Sequence, residues 1–201
     1  MTMPTLMAQH RKQVVETKLA KFYSTINQAV ALTNSEFGEP ENWVKDCGSY
    51  NSPTCTTDET IEWFKQYIGK HLQYTKIEKS EDDNEFYIYF ADGSIFRITN
   101  YISDMLFYEN EKAKNNKRVG LNSFAFRFNP VVLPHQNANT LKYAIKPTIE
   151  PYTVYWNGTR EDLFVSTGVS GFGCSSNGGN FCTKLIQMNG WKIPKDYPLK
   201  F

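Results

Sequence analysis

The sequence predicts an α+β domain in which one long N-terminal helix lies against an antiparallel sheet. Three observations predict it: an unbroken helical stripe over the first 35 residues, a hairpin signal at Asp92-Gly93, and the alternating run Phe124, Phe126, Phe128. In the stripe, Val15, Leu19, Phe22, Ile26 and Val30 recur at intervals of 4, 3, 4 and 4, the signature of an amphipathic helix. Nothing between Thr5 and Asn34 interrupts it, so at about 1.5 Å per residue the rod runs ~45 Å. Pro4 suits a first helical turn, where the missing N–H costs nothing. Met1, Met3, Leu6 and Met7 make the rod's opening apolar without a clear polar face. Such an opening is expected where a rod continues into apolar surroundings.

Residues 34–57 are rich in Gly, Pro, Asn and Ser and read as a loop. Thr56-Thr57-Asp58-Glu59 has the form of a capping box. Ile61, Phe64, Tyr67, Ile68 and Leu72 follow at helical spacing, which predicts a second, short helix of about four turns. Its aromatic face is read as core. Residues 78–85 form an acidic loop. Phe86–Ala91 and Ser94–Thr99 then flank Asp92-Gly93, which predicts a two-residue turn with positive φ at both positions. Phe107 and Tyr108 end the next strand, residues 110–118 are a polar, mostly basic loop, and Phe124 to Phe128 is a half-buried strand. Pro130, Pro134, Pro147 and Pro151 exclude a long helix from the following stretch, in which Tyr152–Trp156 is the candidate strand. No internal repeat is visible. One domain spans 1–201, with residues 1–35 as the rod and 36–201 as the head.

The chain has 40% hydrophobic and 15% aromatic residues, enough for a folded core. A net charge of +1 gives the chain as a whole no nucleic-acid or membrane-surface character. No apolar run reaches bilayer length, and the opening residues do not form a secretory leader. Cys47 and Cys55 are eight residues apart, as are Cys174 and Cys182, and each pair brackets turn-forming residues. Two local disulfides are the expectation, although four cysteines allow three connectivities and sequence does not choose among them. Zinc is the rival, but CxxC spacing and nearby histidines are lacking. Disulfides persist outside the cytoplasm.

Two segments carry a family resemblance. Met3-Pro4-Thr5-Leu6 followed by Tyr23-Ser24-Thr25-Ile26-Asn27-Gln28-Ala29-Val30 resembles the stretch just after the membrane span of type IV pilin-like proteins, closest to prepilin-type subunits of type II secretion. The end of the chain, Cys182-Thr183-Lys184-Leu185-Ile186-Gln187-Met188-Asn189-Gly190-Trp191-Lys192-Ile193-Pro194-Lys195-Asp196-Tyr197-Pro198, resembles the closing motif of that group. The resemblance implies a pilin-like fold and a non-enzymatic structural subunit of a type II secretion or type IV pilus filament. An apolar segment ahead of Pro4, absent from these residues, would hold it in the inner membrane before assembly and pack it against other pilin or pseudopilin subunits afterwards. The head without that segment is expected to be a monomer, and the assembled filament periplasmic or on the cell surface. The alternative is an adhesin or a DNA- or glycan-binding minor subunit whose aromatic residues form a binding face.

Catalytic chemistry finds no foothold. Gly168-Val169-Ser170-Gly171-Phe172-Gly173 lacks the Gly-Lys-Ser/Thr ending of a phosphate loop and has no clear helix after it. His10, His71 and His135 lie far apart, with the first two expected on helices and the third in a loop. No serine elbow is present, and disulfides would remove the thiolates a cysteine nucleophile needs. Major pseudopilins hold calcium in a carboxylate-rich loop. Here the matching stretch, Tyr108–Glu111 to Val119–Phe124, lacks the aspartates and is surrounded by Lys112, Lys114, Lys117 and Arg118, a poor cage for a hard cation. No cofactor or metal is expected, and no enzyme activity. Arg11, Lys12, Lys18 and Lys21 against Glu16 make the front of the rod basic. That face is either solvated, apposed to anionic headgroups, paired with acidic loops of neighbouring subunits, or a DNA contact. Asn157-Gly158-Thr159 matches a glycosylation sequon, a triplet that occurs often by chance.

Overall fold

The computed structural model describes residues 3–201, with side chains from Leu6 onward. The expectations for the side chains of Met1, Met3 and Pro4 lie outside the described residues. Helix α1 (Met3–Phe37) is the rod. All five stripe residues are buried, joined by Ala29 and Thr33. The helix ends at Gly38, whose φ of +81° is the left-handed conformation that closes helices. Its N–H bonds the Asn34 carbonyl at 2.9 Å.

Two short strands, β1 (Gly48–Ser49) and β2 (Ser52–Pro53), follow the loop. Helix α2 (Thr57–Tyr67) starts at the predicted capping box: Thr56 accepts the Glu59 N–H, and the Glu59 carboxylate accepts the Thr56 N–H at 2.8 Å. It is shorter than expected. A 3₁₀ turn over Gly69–His71 takes over, so Leu72 belongs to the turn's exit and not to the helix.

Strands β3 (Lys76–Lys79), β4 (Glu85–Tyr89), β5 (Ile95–Thr99), β6 (Asp104–Tyr108), β7 (Ser123–Asn129) and β8 (Lys146–Pro151) form one sheet in sequence order. Every neighbouring pair is antiparallel. The pairings Ile88↔Phe96, Phe96↔Phe107 and Phe107↔Phe124 put one aromatic row on the face that meets α1, because side chains opposite one another share a face. Phe22 of α1 sits in that row, its ring 4.7 Å from those of Phe96 and Phe107 and 5.2 Å from that of Phe126. Beside it Trp43 stacks on Trp63, Tyr67 and Phe128.

Four local expectations need correction. The β4–β5 turn is a three-residue loop: Gly93 N–H bonds Phe90 O and Phe90 N–H bonds Ser94 O, both at 3.0 Å. Only Gly93 has positive φ, since a turn followed by one left-handed residue matches the strand twist as well. The basic loop contains a short helix, α3 (Glu111–Asn115), capped by the Asn110 side chain. Ala113 on α3 and Ala125 of β7 are buried in a second cluster with Ile95, Leu106 and Tyr108, so β7 is covered on both faces and only Arg127 stays half-buried. The last strand is Lys146–Pro151, not Tyr152–Trp156. Its prolines are tolerated because β8 is an edge.

Helices α4 (Asp162–Val165) and α5 (Cys182–Met188) complete the chain. A helix does therefore follow the glycine run. The glycines themselves answer a steric need: a Cβ on Gly178 would lie 2.3 Å from the Gly171 carbonyl oxygen, and one on Gly173 would lie 2.4 Å from that of Phe164. Among the described residues no helix is long and apolar enough to cross a membrane.

Candidate functional site

The basic residues at the front of α1 are turned toward their own head. Lys18 donates to the backbone carbonyls of Asp92 (3.1 Å) and Glu109 (2.7 Å), Lys21 pairs with the Asp92 carboxylate at 3.2 Å, and Arg11 lies 3.8 Å from Glu109. Burial works to raise the Asp92 carboxyl, but the Ser94 hydroxyl and N–H together with Lys21 outweigh it and hold it down at about 2. Burial pushes the Glu109 carboxyl up. This face is thus largely committed to clamping the rod onto the β4–β5 turn and onto Glu109, just past the end of β6.

The closing segment clamps the other side of the rod. Glu16 accepts Ile193 N–H at 2.9 Å and pairs with Lys192 at 3.0 Å, and Trp191 packs on Tyr23 with ring centres 4.7 Å apart. Tyr197 donates to the Gly120 carbonyl, and Arg160 holds Asp196 through two 2.8 Å bonds. Residues 182–198, noted in the sequence for their motif, serve here as a strap around α1.

The four cysteines pair locally, Cys47–Cys55 and Cys174–Cys182, so the disulfides place the chain in an oxidising, extracytoplasmic setting. The second bridge lies inside a cluster with Leu163, Phe181 and Leu185. Among the described residues no group of histidine, cysteine or carboxylate side chains is arranged to hold a metal. The histidines stay apart. His71 contacts Glu36 at 3.2 Å and His135 contacts Asp46 at 3.3 Å, while His10 is exposed on α1.

One concavity escaped the reading of the sequence. On the sheet face away from α1, beyond the small cluster covered by α3, a groove of 1010 Å³ opens over β5 and β6. A second cavity of 220 Å³ adjoins it, sharing Tyr50, Tyr101, Asp104 and Tyr152. Both disulfide loops supply its border: Tyr50 and Pro53 come from the first, and Asn180 from the second, with Phe172 just ahead of it. Tyr50 stands 76% exposed, edge-on to Tyr101 at 6.1 Å. Phe172 packs edge-on against Tyr152 (5.6 Å) and Tyr155 (6.1 Å).

One ion pair lines the groove and a second, through Asp104, joins it to the adjoining cavity. Arg97 donates to Glu85 at 2.8 Å, and Arg127 donates to Asp104. Tyr101 donates to the other Asp104 oxygen at 3.1 Å. The Nε atoms of Arg97 and Arg127 are buried without a hydrogen-bond partner among the described residues. Burial pushes the Tyr101 and Tyr152 hydroxyls above their ordinary range, so both remain neutral donors. In the sequence, the alternation of Arg97 with Phe96 and Ile98, and of Arg127 with Phe126 and Phe128, was the available signal: charged residues on the second face of strands whose first face is core.

No curated protein and no solved structure matches this chain. A family model of unknown function, DUF6613, matches residues 5–201. The chain, over nearly its whole length, belongs to the DUF6613 family.

Proposed function

We propose that the protein is a non-enzymatic subunit of an extracytoplasmic filament, of the pilin or pseudopilin kind found in type II secretion or type IV pilus machines. The observation that carries the reading is the division of α1. From Val15 onward its stripe is buried in the head, while Leu6 and Met7 ahead of it are 59% and 72% exposed. A rigid helix held on both sides by the β4–β5 turn and the closing segment is a suitable handle for a head. Its free end offers apolar side chains to a neighbouring helix. An apolar segment in line with it would add a large driving force for packing copies together, at about 25 cal/mol per Å² buried.

The reading requires a specific gene arrangement. Sequencing the DNA immediately upstream of codon 1 is expected to find a short basic leader and about 20 apolar residues, in frame with Pro4. A stop codon and ribosome-binding site at that place would overturn the filament reading. Residues 1–201 alone are expected to elute as a monomer in size-exclusion chromatography, since two exposed side chains, Leu6 and Met7, make too small a patch to hold a stable dimer. A second reading, recognition by the head, is favoured by the groove on the outer face of the sheet.

A further inference from the structure

We infer that this groove is a binding site for a neutral oligosaccharide. Its size, at 1010 Å³, is at the top of the ~300–1,000 Å³ range of small-molecule sites, and its chemistry narrows the ligand class. Arg97, which lines it, is matched by Glu85, and Asp104, which lines both concavities, is matched by Arg127 of the adjoining cavity. Lys117 at the rim, without an ion pair among the described residues, faces a groove that Asp82 also lines. Phosphate backbones are held by unpaired positive charge, so the groove has no field for a nucleic acid or another polyanion.

The floor nevertheless remains rich in both donors and acceptors. Each guanidinium has five N–H groups, and each carboxylate about four acceptor sites. A ligand that satisfies paired planar groups of both kinds needs hydroxyls, which donate and accept at once. Above that floor stand Tyr50, Tyr155 and Phe172, and aromatic rings present an apolar face with a polar edge. A pyranose matches this combination, with hydroxyls around its rim and C–H groups on its faces.

An extended peptide fits less well. Strand addition uses a sheet edge, whereas the groove lies on a face. At the β8 edge, moreover, the Ile149 N–H and C=O are already bonded by Asn27. The placement of both disulfides adds a functional reason for them, since they hold the two irregular loops that border the groove. This site is independent of the filament reading, and the failure of either leaves the other standing.

The test uses the folded protein, residues 1–201, on an array of neutral oligosaccharides built from glucose, mannose, galactose and N-acetylglucosamine. Acidic oligosaccharides and a single-stranded DNA 20-mer form the comparison arms. Saturable binding to at least one neutral oligosaccharide is expected, and it should persist in 0.5 M salt. The double variant Tyr50→Ala/Tyr155→Ala should lose affinity by about tenfold or more. Met188→Ala, an exposed apolar change away from the groove, should leave affinity unaltered. Thermal unfolding of the double variant separates lost binding from lost fold. If that variant unfolds, Tyr50→Ala alone serves, because its side chain projects into solvent. Binding to no neutral sugar, binding confined to acidic sugars or DNA, or binding indifferent to the Tyr50 change would each overturn the assignment.

Discussion

The side-chain amide of Asn27 pairs with the backbone of Ile149 as a neighbouring strand would. Ile149 N–H donates to Asn27 Oδ1 at 2.8 Å, and Asn27 Nδ2 donates to the Ile149 carbonyl at 2.9 Å. One helical residue thereby satisfies both outward-facing groups at the middle of the β8 edge. Edge strands with unpaired groups invite association, and here the rod covers that liability. Tyr23, one turn earlier, reinforces the contact by donating to Glu150 at 2.7 Å. The same edge carries Pro147 and Pro151, which lack N–H groups to offer.

Asn27→Ala should therefore destabilise the domain by about 2–3 kcal/mol, the sum of two lost bonds and two backbone groups left without partners. Asn27→Asp keeps the acceptor but loses the donor, and should fall between wild type and alanine. Urea denaturation followed by tryptophan fluorescence measures both. An alanine variant as stable as wild type would show that water replaces the amide freely.

Phe22→Ala should cost about 3–5 kcal/mol. Its ring is flanked by those of Phe96, Phe107 and Phe126, all on strands that cannot close in around a cavity without bending the sheet. Phe22→Leu should cost less because it keeps most of the volume. A midpoint shift in urea with an unchanged slope would identify the effect as packing.

Acid should loosen the grip of the β4–β5 turn on the rod. The folded Asp92 carboxyl titrates at about 2, below its ordinary 3.8. A depressed carboxyl stabilises the fold above its unfolded value, and that contribution is lost as pH falls from about 4 toward 2. Partial exposure of the pair limits the effect to about 1 kcal/mol. Thermal melts between pH 5 and 2 should fall less steeply for Asp92→Asn than for wild type. Parallel curves would remove Asp92 from the acid response.

The two disulfides should differ in their response to reductant. Cys174 and Cys182 are completely buried, whereas Cys55 keeps slight exposure, and thiol exchange requires access. Brief treatment of the folded protein with dithiothreitol and iodoacetamide should label Cys47 and Cys55 first, as read by peptide mass spectrometry. Opening either short loop should lower stability by about 2–3 kcal/mol in the chain-entropy account. Earlier labelling of Cys174 and Cys182 would mean that their cluster opens locally.

Patterns of short range were legible in advance. The α1 stripe, the Thr56–Glu59 capping box, the spacing of the cysteines and the Phe124–Phe128 alternation each depend on residues a few positions apart, and each maps to a definite element. The errors were also local in kind. Leu72 continued a helical spacing that the 3₁₀ turn at Gly69–His71 had already ended, and Tyr152–Trp156 had strand-like composition without an available partner. Ladder position decided that case: Ile149 faces Phe128 in the register of β7 and β8, and this pairing selects Lys146–Pro151 despite its prolines.

The groove and the clamps belong to a different order of information. Lys18 meets Glu109 across 91 residues, Asn27 meets Ile149 across 122 and Glu16 meets Ile193 across 177. Nothing in the spacing of the chain states such distances. By itself the sequence determined the α+β class, the helical rod and the hairpin, because propensity, capping and periodicity act between near neighbours, whereas the local pairing of the four cysteines was settled by the structure. Only the tertiary structure decided that the basic front of the rod is bound to its own head. It alone placed Arg97, Asp104, Tyr50 and Phe172 around one concavity, because closure of the sheet and loops brings together residues that no local rule connects.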